Sequence, residues 1–501
     1  MSGIPRPETV APIPLTRLAE LLPAALHGGD IAVTGVTHSS GAVRPGDLYA
    51  ALPGANRHGA EFVADAARSG AAAVLTDPAG REAALAAGLP VLVAEQPRAV
   101  LGAAAAAIYG EPSRRLTMIG ITGTAGKTST SYLVEAGLRA AGQVTGLVGT
   151  VETRLGDFTV KSVRTTPEAT DLQSILAVGV ERGVTAVVME VSSHALVMGR
   201  ADGIRFAASG YTNFGQDHLD FHPTSEEYFA AKARLFDGRS AIGVLNHDDA
   251  AVMALHTPGT VTYSAAGNPA ATWWASEVRP SAFGQLFTAH GPDGLTVATG
   301  VALPGLHNVA NALLALALLA SVGIDPAVAG RGIAACSGVP GRLEQVSSPG
   351  EVLGVVDYAH KPNAIVAALA ALRELATGRG GRLICVLGAG GDRDKGKRPL
   401  MGEAAAQGAD LVIITDDNPR TEDPASVRAA VRRGAEEAHS AAKVVEVAGR
   451  RAAIDEAVRM ATAGDVIAVL GKGNEQGQEV NGQVLPFDDR IELAAALGGR
   501  S

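Results

Sequence analysis

The chain has 501 residues, 47% of them hydrophobic, so it is long enough for about three domains and too apolar for a disordered protein. Its formal net charge is −9 and only 4% of its residues are aromatic, so we expect it to bind no nucleic acid. Two cysteines, Cys336 and Cys385, are too few for a disulfide scaffold and fit a reducing cytoplasm. We expect neither a signal peptide nor membrane insertion, because the start is Pro-rich and no apolar run approaches ~20 residues.

Short β-branched runs alternate with Ala- and Leu-rich stretches, which predicts an α/β fold with mostly parallel sheets. We expect three domains, covering residues 1–112, 113–340 and 341–501. Strands are predicted at 31–36, 72–76, 116–121, 186–191, 207–212, 242–246, 383–387, 411–415 and 466–470, with short antiparallel strands within 277–301. Helices are predicted at 102–109, 128–141, 226–236 and 307–319.

A glycine-rich loop lies between the predicted strand 116–121 and the helix 128–141. It reads Gly123, Thr124, Ala125, Gly126, Lys127, Thr128, Ser129. Glycines let backbone amides point at phosphate oxygens, and the following helix N-terminus favours negative charge. The Lys127 ammonium can reach the β- and γ-phosphates of ATP, and the Thr128 hydroxyl can bind Mg²⁺. The first glycine of a complete Walker A motif is replaced by Ile121, and a purely structural glycine turn is the alternative.

Polar residues also end the next two predicted strands. Glu190 follows a buried apolar run, and a carboxylate beside a phosphate loop suits Mg²⁺, although a solvated strand end would read the same way. The segment 213–222 follows the strand 207–212. Within it, His218 could bind a metal and Asn213 the nucleotide, while its acidic residues could simply cap helices.

Lys232 stands on the predicted helix 226–236 among apolar neighbours. This position alone favours a lysine whose aliphatic stem is buried and whose ammonium reaches water.

Charged loops, either glycine-containing or rich in aspartate, follow the three predicted strands of the third domain. These loops cover 391–398, 415–420 and 471–475. Because the carboxyl ends of parallel strands meet at one edge of a sheet, we expect the loops to converge. Their Arg and Glu side chains would bind a zwitterion, with guanidinium facing carboxylate and carboxylate facing ammonium. Three unrelated solvated loops are the alternative.

These features favour an ATP-dependent enzyme with a small co-substrate that carries both acid and amine. A nucleotide-gated switch such as a GTPase is the competing class, but the guanine-reading Asn-Lys-x-Asp motif is missing from the sequence. A kinase would need no amine site.

The motifs resemble, in chain order, those of the Mur ligase family. The matching segments are 123–129, 190–196, 213–222, the helix with Tyr228, Lys232 and Phe236, then His307, Asn308 and Asn311, then Gly341 and Arg342, and finally 357–362. The match covers essentially all three domains. It implies an N-terminal α/β domain for the UDP end of the substrate, a central P-loop-type ATPase domain, and a C-terminal Rossmann-like domain for the amino acid.

The resemblance also implies binding residues for two nucleotides. For ATP these are the residues of the loop 123–129 together with Asn308, Arg342 and His360. For the UDP-linked substrate they are Ser39, Thr165, Thr166, Ser192 and Arg200. Next to Ser39, His38 replaces an aspartate that is common in the family.

For catalysis, the resemblance implies two Mg²⁺ ions and a lysine carbamylated by CO₂. Thr128 and Glu190 would serve one ion, and His218 and carbamylated Lys232 the other. A carbamate is chemically sensible because it is an anionic oxygen ligand, whereas an ammonium repels Mg²⁺. Lys127, Glu190, His218 and Lys232 are therefore the predicted catalytic residues.

In the third domain, Arg393, Asp417, Asn418, Pro419, Arg420, Gly471 and Glu475 match the family's amino-acid site, and Asn474 replaces a frequent histidine. The loop with Arg420 resembles that of members that add diaminopimelate. The Arg420 guanidinium can hold the distal carboxylate of diaminopimelate through two parallel hydrogen bonds. Lysine lacks this carboxylate and would leave the guanidinium unpaired. Glu475 would bind the distal ammonium.

The implied activity is the ATP-dependent addition of diaminopimelate to the γ-carboxyl of D-Glu in UDP-MurNAc-L-Ala-D-Glu. The reaction passes through an acyl phosphate and belongs to peptidoglycan precursor synthesis. A cytoplasmic monomer is expected. A lysine-adding member is the alternative, disfavoured by Arg420, and a folylpolyglutamate-synthase-like ligase is disfavoured by the first domain.

Overall fold

The computed structural model describes residues 4–218, 221–346 and 351–499, so Leu219 and Asp220 of the segment 213–222 lie outside it. The chain divides into two compact units. The first unit comprises Met1–Tyr263 and Leu314–Gly332, and the second comprises Ser264–Leu313 and Ile333–Ser501. Mostly parallel sheets in both units confirm the predicted α/β fold, and the domain boundaries at 112 and 340 stay predictions.

The first unit begins with a five-stranded sheet. Its spatial order is Ala25–His27, Val91–Val93, Ala73–Thr76, Asp47–Ala50 and Gly35–Thr37, parallel except for the first strand. The single strand predicted at 31–36 was wrong. Ala32–Val33 pairs instead with Ile13–Pro14 in a separate two-stranded sheet, because the intervening Thr34 donates its amide to Gly46 O and interrupts the ladder.

The N-terminal segment is tied to the rest of the first unit by several side-chain contacts. Arg6 Nη1 lies 2.6 Å from Asp47 Oδ1, and the Asp47 side chain is nearly buried. The amides of Glu8 and Thr9 donate to the two carboxylate oxygens of Glu181, at 3.0 and 2.9 Å. The segment therefore connects the five-stranded sheet to the helix that ends at Glu181.

The second sheet of the first unit carries the glycine-rich loop. Its strands are, in spatial order, Phe158–Lys161, Glu152–Leu155, Thr145–Val148, Ala186–Glu190, Thr117–Thr122, Phe206–Tyr211, Ser240–Asn246 and Val261–Ser264. The last six are parallel. Strand Thr117–Thr122 lies between Ala186–Glu190 and Phe206–Tyr211, so three polar strand ends meet at one edge.

Helices cover this sheet and the five-stranded one. They are Leu15–Leu21, Val63–Arg68, Arg81–Ala86, Pro97–Ile108, Lys127–Ala140, Ala169–Glu181, Ser193–Val197, Ser225–Ala233 and Ala250–Met253, while Leu306–Ser321 and Pro326–Ala334 contribute residues to both units. The absence of a side chain at Gly210 lets Leu314 and Leu318 approach the sheet, because a Cβ there would lie 2.9 and 3.0 Å from their methyl carbons. The helix predicted at 226–236 ends at Ala233 and continues as a 3-10 turn.

The second unit contains three antiparallel strands and a mostly parallel sheet. The antiparallel strands are Trp273–Ser281, Gly284–His290 and Thr296–Val301, which confirms the prediction for 277–301. The mostly parallel sheet has the spatial order Glu344–Gln345, Leu353–Asp357, Val466–Leu470, Leu383–Ala389, Leu411–Asp416 and Lys443–Glu446, parallel except for the first strand. The helices are Pro362–Gly378, Lys397–Gly408, Pro424–Glu437, Arg450–Met460 and Asp489–Gly498.

A two-stranded hairpin, Gly477–Val480 and Gln483–Pro486, follows the last strand of the parallel sheet. It was not predicted, because its second strand is exposed throughout and shows no alternation of apolar and polar residues. Among the described residues, no helix is long and apolar enough to cross a membrane.

Candidate functional site

The glycine-rich loop takes a backbone path that only glycine permits at two points. Gly123 has φ +139°, and a Cβ there would lie 1.8 Å from Thr212 Oγ1. Gly126 has φ +87° and precedes the helix Lys127–Ala140. The Lys127 ammonium donates to the carbonyls of Gly123, at 2.8 Å, and Thr124, at 3.3 Å, so the lysine folds over the loop.

Glu190 lies beside this loop, as predicted, and is 1% exposed. The Thr128 hydroxyl donates to Glu190 Oε2 at 3.1 Å. Thr150 donates its amide to Oε1 at 2.8 Å and its hydroxyl to Oε2 at 3.0 Å. Within the described residues, no lysine, arginine or histidine forms an ion pair with this carboxylate. Buried carboxylates are normally paired or bind metals, so the arrangement suits a cation.

Three residues predicted for the UDP-linked substrate are joined to Glu190 by hydrogen bonds. The Thr166 hydroxyl donates to the Glu190 carbonyl at 2.9 Å and accepts from the Ser192 amide at 3.2 Å. The hydroxyls of Thr165 and Thr150 lie 3.1 Å apart. The structure thus brings Thr165, Thr166 and Ser192 to the same strand end as Glu190.

Arg200 lies in a cluster of three arginines around one carboxylate. Glu168 is 2.8 Å from Arg200, 3.0 Å from Arg164 and 3.4 Å from Arg98. Arg200 is 8% exposed, and its Nε is buried without a hydrogen-bond partner in the described structure. Three cations around one anion, with a buried donor left unsatisfied, suit an anionic ligand.

Ser39 lies in the same unit, on the loop before the 3-10 turn Ser40–Ala42. The described contacts do not join it to the threonines near Glu190. Its neighbour His38 bonds through Nδ1 to the Thr170 hydroxyl at 3.1 Å, at the start of the helix Ala169–Glu181. His38, where the family commonly has an aspartate, therefore contacts the start of this helix.

Lys232 is 1% exposed, so the interpretation of a lysine reaching water is wrong. Its ammonium donates to the Gly123 carbonyl at 2.8 Å and lies 4.6 Å from the centre of the Tyr228 ring. The Tyr228 hydroxyl is in turn 3.2 Å from the Thr124 hydroxyl. The chain thus buries a second ammonium against the carbonyl that also accepts from Lys127.

His218 also lies near Tyr228, with ring centres 6.1 Å apart. Its side chain is 42% exposed and its Nε2 is 3.1 Å from Asp217 Oδ2. The described residues contain no cluster of three or more His, Cys, Asp or Glu side chains that could hold a metal. A metal here would therefore need hydroxyl or carbamate oxygens in addition.

Two of the predicted ATP residues in the second unit meet at Tyr358. The Arg342 guanidinium lies 4.4 Å above the Tyr358 ring, and the His360 ring is 4.6 Å from it. Burial lowers the pKa of His360 to about 4, so its imidazole is neutral at neutral pH. Asn308 is engaged elsewhere, donating to the Pro304 carbonyl at 2.8 Å.

The three loops of the third domain converge as predicted. The Gly391 amide donates to the Asn418 carbonyl at 2.8 Å, and Asn418 Nδ2 donates to Glu475 Oε2 at 3.0 Å. Arg420 Nη1 donates to the Gly391 carbonyl at 2.7 Å. A Cβ at Gly391 would lie 1.9 Å from the Pro419 carbonyl oxygen, so glycine allows this close approach.

Gly471 has φ +118°, and a Cβ there would lie 3.1 Å from Asp417 Oδ2, which places the third loop against the second. Arg393 is exposed, and its charge acts on the Tyr358 phenol. All seven residues predicted for the amino-acid site thus border one cluster of loops.

Family comparisons cover most of the chain in three stretches. Residues 32–109 match the Mur ligase family catalytic domain, residues 121–319 the Mur ligase middle domain, and residues 341–473 the Mur ligase glutamate ligase domain. The chain belongs to the Mur ligase family. It is therefore a ligase, and the family's reaction is ATP-dependent peptide-bond formation.

Named relatives of this Mur ligase align over nearly its whole length. UDP-N-acetylmuramoyl-L-alanyl-D-glutamate--2,6-diaminopimelate ligase of Streptomyces coelicolor is 53% identical, over 99% of this chain and 98% of the relative. The protein of that name from Corynebacterium glutamicum is 46% identical, over 94% and 92%. UDP-N-acetylmuramyl-tripeptide synthetase of Leifsonia xyli subsp. xyli is 42% identical, over 98% and 97%.

Solved structures support the same fold. A structure of a UDP-N-acetylmuramoyl-L-alanyl-D-glutamate--2,6-diaminopimelate ligase matches with a TM-score of 0.67 at 32% identity, over 94% of this chain and 95% of that one. A folylpolyglutamate synthase from Mycobacterium tuberculosis, complexed with ADP and AMPPCP, matches with a TM-score of 0.58 at 20% identity, over 74% and 91%. At that identity the second match concerns the fold alone.

Two residues of this Mur ligase site were missed from the sequence. Thr150 follows the strand Thr145–Val148, which was not predicted, although the apolar run before Gly149 and Thr150 was a usable signal. Lys472 is fully buried and donates to Asp417 at 3.2 Å, to Asn418 at 2.9 Å and to Glu475 at 3.5 Å. Its position between two glycines after a buried strand was the available signal.

Lys472 also affects the charge of Asp417. Burial acts to raise the pKa of Asp417, but Lys472 and Arg450 together hold that pKa below its ordinary value. Asp417 therefore remains a carboxylate at neutral pH although it is buried.

Replacing Thr150 with valine should lower kcat about tenfold, because Glu190 would lose one of its hydroxyl donors. Thr150→Ser keeps the hydroxyl and should stay within about twofold of wild type. Phosphate release at saturating substrates measures both. An equal loss in the serine variant, or none in the valine variant, would show that the hydroxyl does not act through Glu190.

Proposed function

We propose that this Mur ligase joins diaminopimelate to the γ-carboxyl of D-Glu in UDP-MurNAc-L-Ala-D-Glu, converting ATP to ADP and phosphate, as a step of peptidoglycan precursor synthesis. The observation that carries the proposal is the loop cluster in which Arg420 donates to the Gly391 carbonyl, the Gly391 amide donates to Asn418, and Glu475 accepts from Asn418. Opposite charges at one site suit an amino acid with a distal carboxylate and a distal ammonium. The names of the relatives at 46–53% identity support the same substrate pair.

In the proposed reaction, the D-Glu γ-carboxylate attacks the γ-phosphorus of ATP, ADP leaves, and an acyl phosphate forms. The amine of diaminopimelate then attacks the acyl carbon, and phosphate leaves with the amide formed. The first step brings two anions together, so cationic groups must offset their repulsion. The Lys127 ammonium, now on the loop carbonyls, would turn to the phosphates.

Mg²⁺ is the metal we propose, and the residues present fit it. The Glu190 carboxylate is buried without an ion-pair partner among the described residues, and the Thr128 hydroxyl already contacts it. Oxygen ligands of this kind are those that Mg²⁺ prefers. Glu190 and Thr128 would hold one ion, whose charge would offset that of the phosphates.

We propose further that Lys232 carries a carbamate. In the structure the ammoniums of Lys127 and Lys232 both donate to the Gly123 carbonyl, each at 2.8 Å, so two like charges share one acceptor. Attack of the neutral amine on CO₂ with loss of one proton converts Lys232 to an anion. The repulsion between the Lys127 and Lys232 ammoniums then becomes an attraction between an ammonium and a carbamate. The carbamate oxygens of Lys232, together with His218, could hold a second Mg²⁺.

The UDP-linked substrate would bind beside Glu190. Thr165, Thr166 and Ser192 offer hydroxyls and an amide there, and Arg200 offers a buried, unsatisfied guanidinium Nε for an anionic group. Ser39 would act at the uridine end. For ATP we propose Asn308, Arg342 and His360 in addition to the residues 123–129.

For the whole protein we propose three domains with boundaries near 112 and 340, a cytoplasmic location and a monomeric state. The first domain would hold the UDP end, the second ATP, and the third diaminopimelate.

Phosphate release tests the proposed function directly. We expect release to require ATP, UDP-MurNAc-L-Ala-D-Glu and an amino acid together, because the carboxylate must be in place before it can be phosphorylated. The amino acids to compare are meso-diaminopimelate, LL-diaminopimelate and L-lysine. Rapid turnover with ATP alone would contradict a ligase of this kind, and a preference for L-lysine over both diaminopimelates would identify a lysine-adding enzyme.

A further inference from the structure

Within the proposed amino-acid site, Arg420 already has a carboxylate partner from its own chain. Glu479 Oε2 accepts from Arg420 Nε at 3.0 Å. Glu479 lies on the strand Gly477–Val480 of the hairpin, 59 residues further along the chain. Nothing in the local sequence pattern around Glu479 points to Arg420.

The backbone holds this contact in register. The Arg420 amide donates to the Glu479 carbonyl at 3.0 Å, and the Asn481 amide donates to the Arg420 carbonyl at 2.7 Å. Arg420 itself has φ +52°, an uncommon conformation for a residue with a side chain. Because main-chain bonds on both sides fix the two residues, the pairing of their side chains is a built feature of the hairpin.

The pairing leaves part of the guanidinium available. Glu479 engages Nε through one oxygen, and Nη1 donates to the Gly391 carbonyl. A guanidinium has five N–H groups and binds a carboxylate best through two parallel hydrogen bonds. The side chains of Arg420 and Glu479 are 21% and 40% exposed, so an incoming ligand can reach both.

We propose that Glu479 is a specificity-determining residue that competes with the distal carboxylate of the amino-acid substrate for Arg420. The inference rests on the proposed function, which assigns Arg420 to that carboxylate. Because Nη1 is engaged by the Gly391 carbonyl, a two-point contact to diaminopimelate would use Nε and Nη2 and must displace Glu479 from Nε, which weakens substrate binding. Lysine has no distal carboxylate and leaves the pair of Arg420 and Glu479 intact.

Selectivity is therefore smaller than Arg420 alone would give. The sequence predicts that lysine leaves the guanidinium unpaired, but in the structure Glu479 pairs with it. A half-exposed pair with a single contact is weak, whereas a two-point contact to a substrate carboxylate is stronger. Diaminopimelate thus still displaces Glu479, at a lower affinity than an unoccupied Arg420 would provide.

Substituting Glu479→Gln in the full-length enzyme tests this. We expect the KM for diaminopimelate to fall about two- to fivefold, the range typical of weak surface ion pairs. We expect kcat and the KM for ATP to stay within about twofold, and the preference for diaminopimelate over L-lysine to increase. The control is Glu436→Gln, which breaks a more exposed pair with Arg432 within the helix Pro424–Glu437 and should change none of these values.

The direction of the change in KM decides the outcome. A raised KM would mean that Glu479 orients Arg420 or binds the substrate ammonium, and an unchanged KM would mean that the two carboxylates do not compete. Either result overturns the inference.

The double variant Arg420→Ala, Glu479→Gln separates this inference from the proposed function. On the Arg420→Ala background, Glu479→Gln should have no further effect on the KM for diaminopimelate, and a further fall there would also overturn the competition. If Arg420→Ala alone leaves this KM unchanged, the assignment of Arg420 in the proposed function is wrong. If Arg420→Ala raises it but Glu479→Gln does not lower it, only the competition fails.

Discussion

Lys232→Ala is expected to lose activity about 10²- to 10³-fold, and added formate or acetate should restore part of it. The alanine variant leaves a space in a buried position beside the Gly123 carbonyl. A small carboxylate can enter that space and supply the oxygens that the proposed carbamate provides. Phosphate release, measured with and without added carboxylate, gives the extent of rescue. A carboxylate concentration on the order of 50–200 mM is used because so small a ligand is expected to bind weakly.

Two controls sharpen this experiment. Lys127→Ala should also lose activity but gain nothing from carboxylates, because its proposed role needs a cation. Lys443, which is exposed on the strand Lys443–Glu446, should tolerate alanine.

A spectroscopic measurement covers the case in which the alanine variant folds poorly. Wild-type enzyme in ¹³C-bicarbonate should show a carbamate carbon signal by NMR that Lys232→Ala lacks. Absence of both the signal and the rescue would remove the carbamate from the mechanism.

Arg420→Ala is expected to raise the KM for diaminopimelate about 10- to 100-fold, with the KM for ATP changed by less than about twofold. The charged hydrogen bonds that a guanidinium makes to a carboxylate are among the stronger side-chain interactions, and alanine removes them completely. Steady-state kinetics with each substrate varied in turn measures the difference. Arg432→Ala, which removes an exposed arginine from the helix Pro424–Glu437, is the matched control.

Equal increases in both KM values would remove Arg420 from amino-acid recognition. An unchanged KM for diaminopimelate would do the same. In contrast, a selective increase accompanied by improved relative use of L-lysine would place the distal carboxylate at this guanidinium.

The parallel strands and their polar ends could be predicted from the sequence. Strand Val466–Leu470 has the predicted bounds, and Thr117–Thr122 differs by one residue. These strands are buried on both faces, so they are mostly apolar runs, and glycine and polar residues follow them. Glu190 and the three loops of the third domain were found for this reason.

Other parts of the site depend on contacts between distant residues, which no local pattern records. Thr150 reaches Glu190 because two strands 40 residues apart are neighbours in the sheet. Glu479 reaches Arg420 through a hairpin whose strands show no regular alternation of apolar and polar residues. The position of the Lys232 ammonium also could not be predicted from the sequence. Its apolar neighbours fitted both an ammonium that reaches water and one that is enclosed by the protein, and only the structure shows that it is buried.

The attachment of residues 8 and 9 to Glu181 has a consequence for how the chain folds during synthesis. These hydrogen bonds join positions more than 170 residues apart. The five-stranded sheet can form early, but the segment that precedes it is secured only after the helix ending at Glu181 has left the ribosome. Contacts of such long range form slowly, so this segment reaches its final position after the sheet beside it.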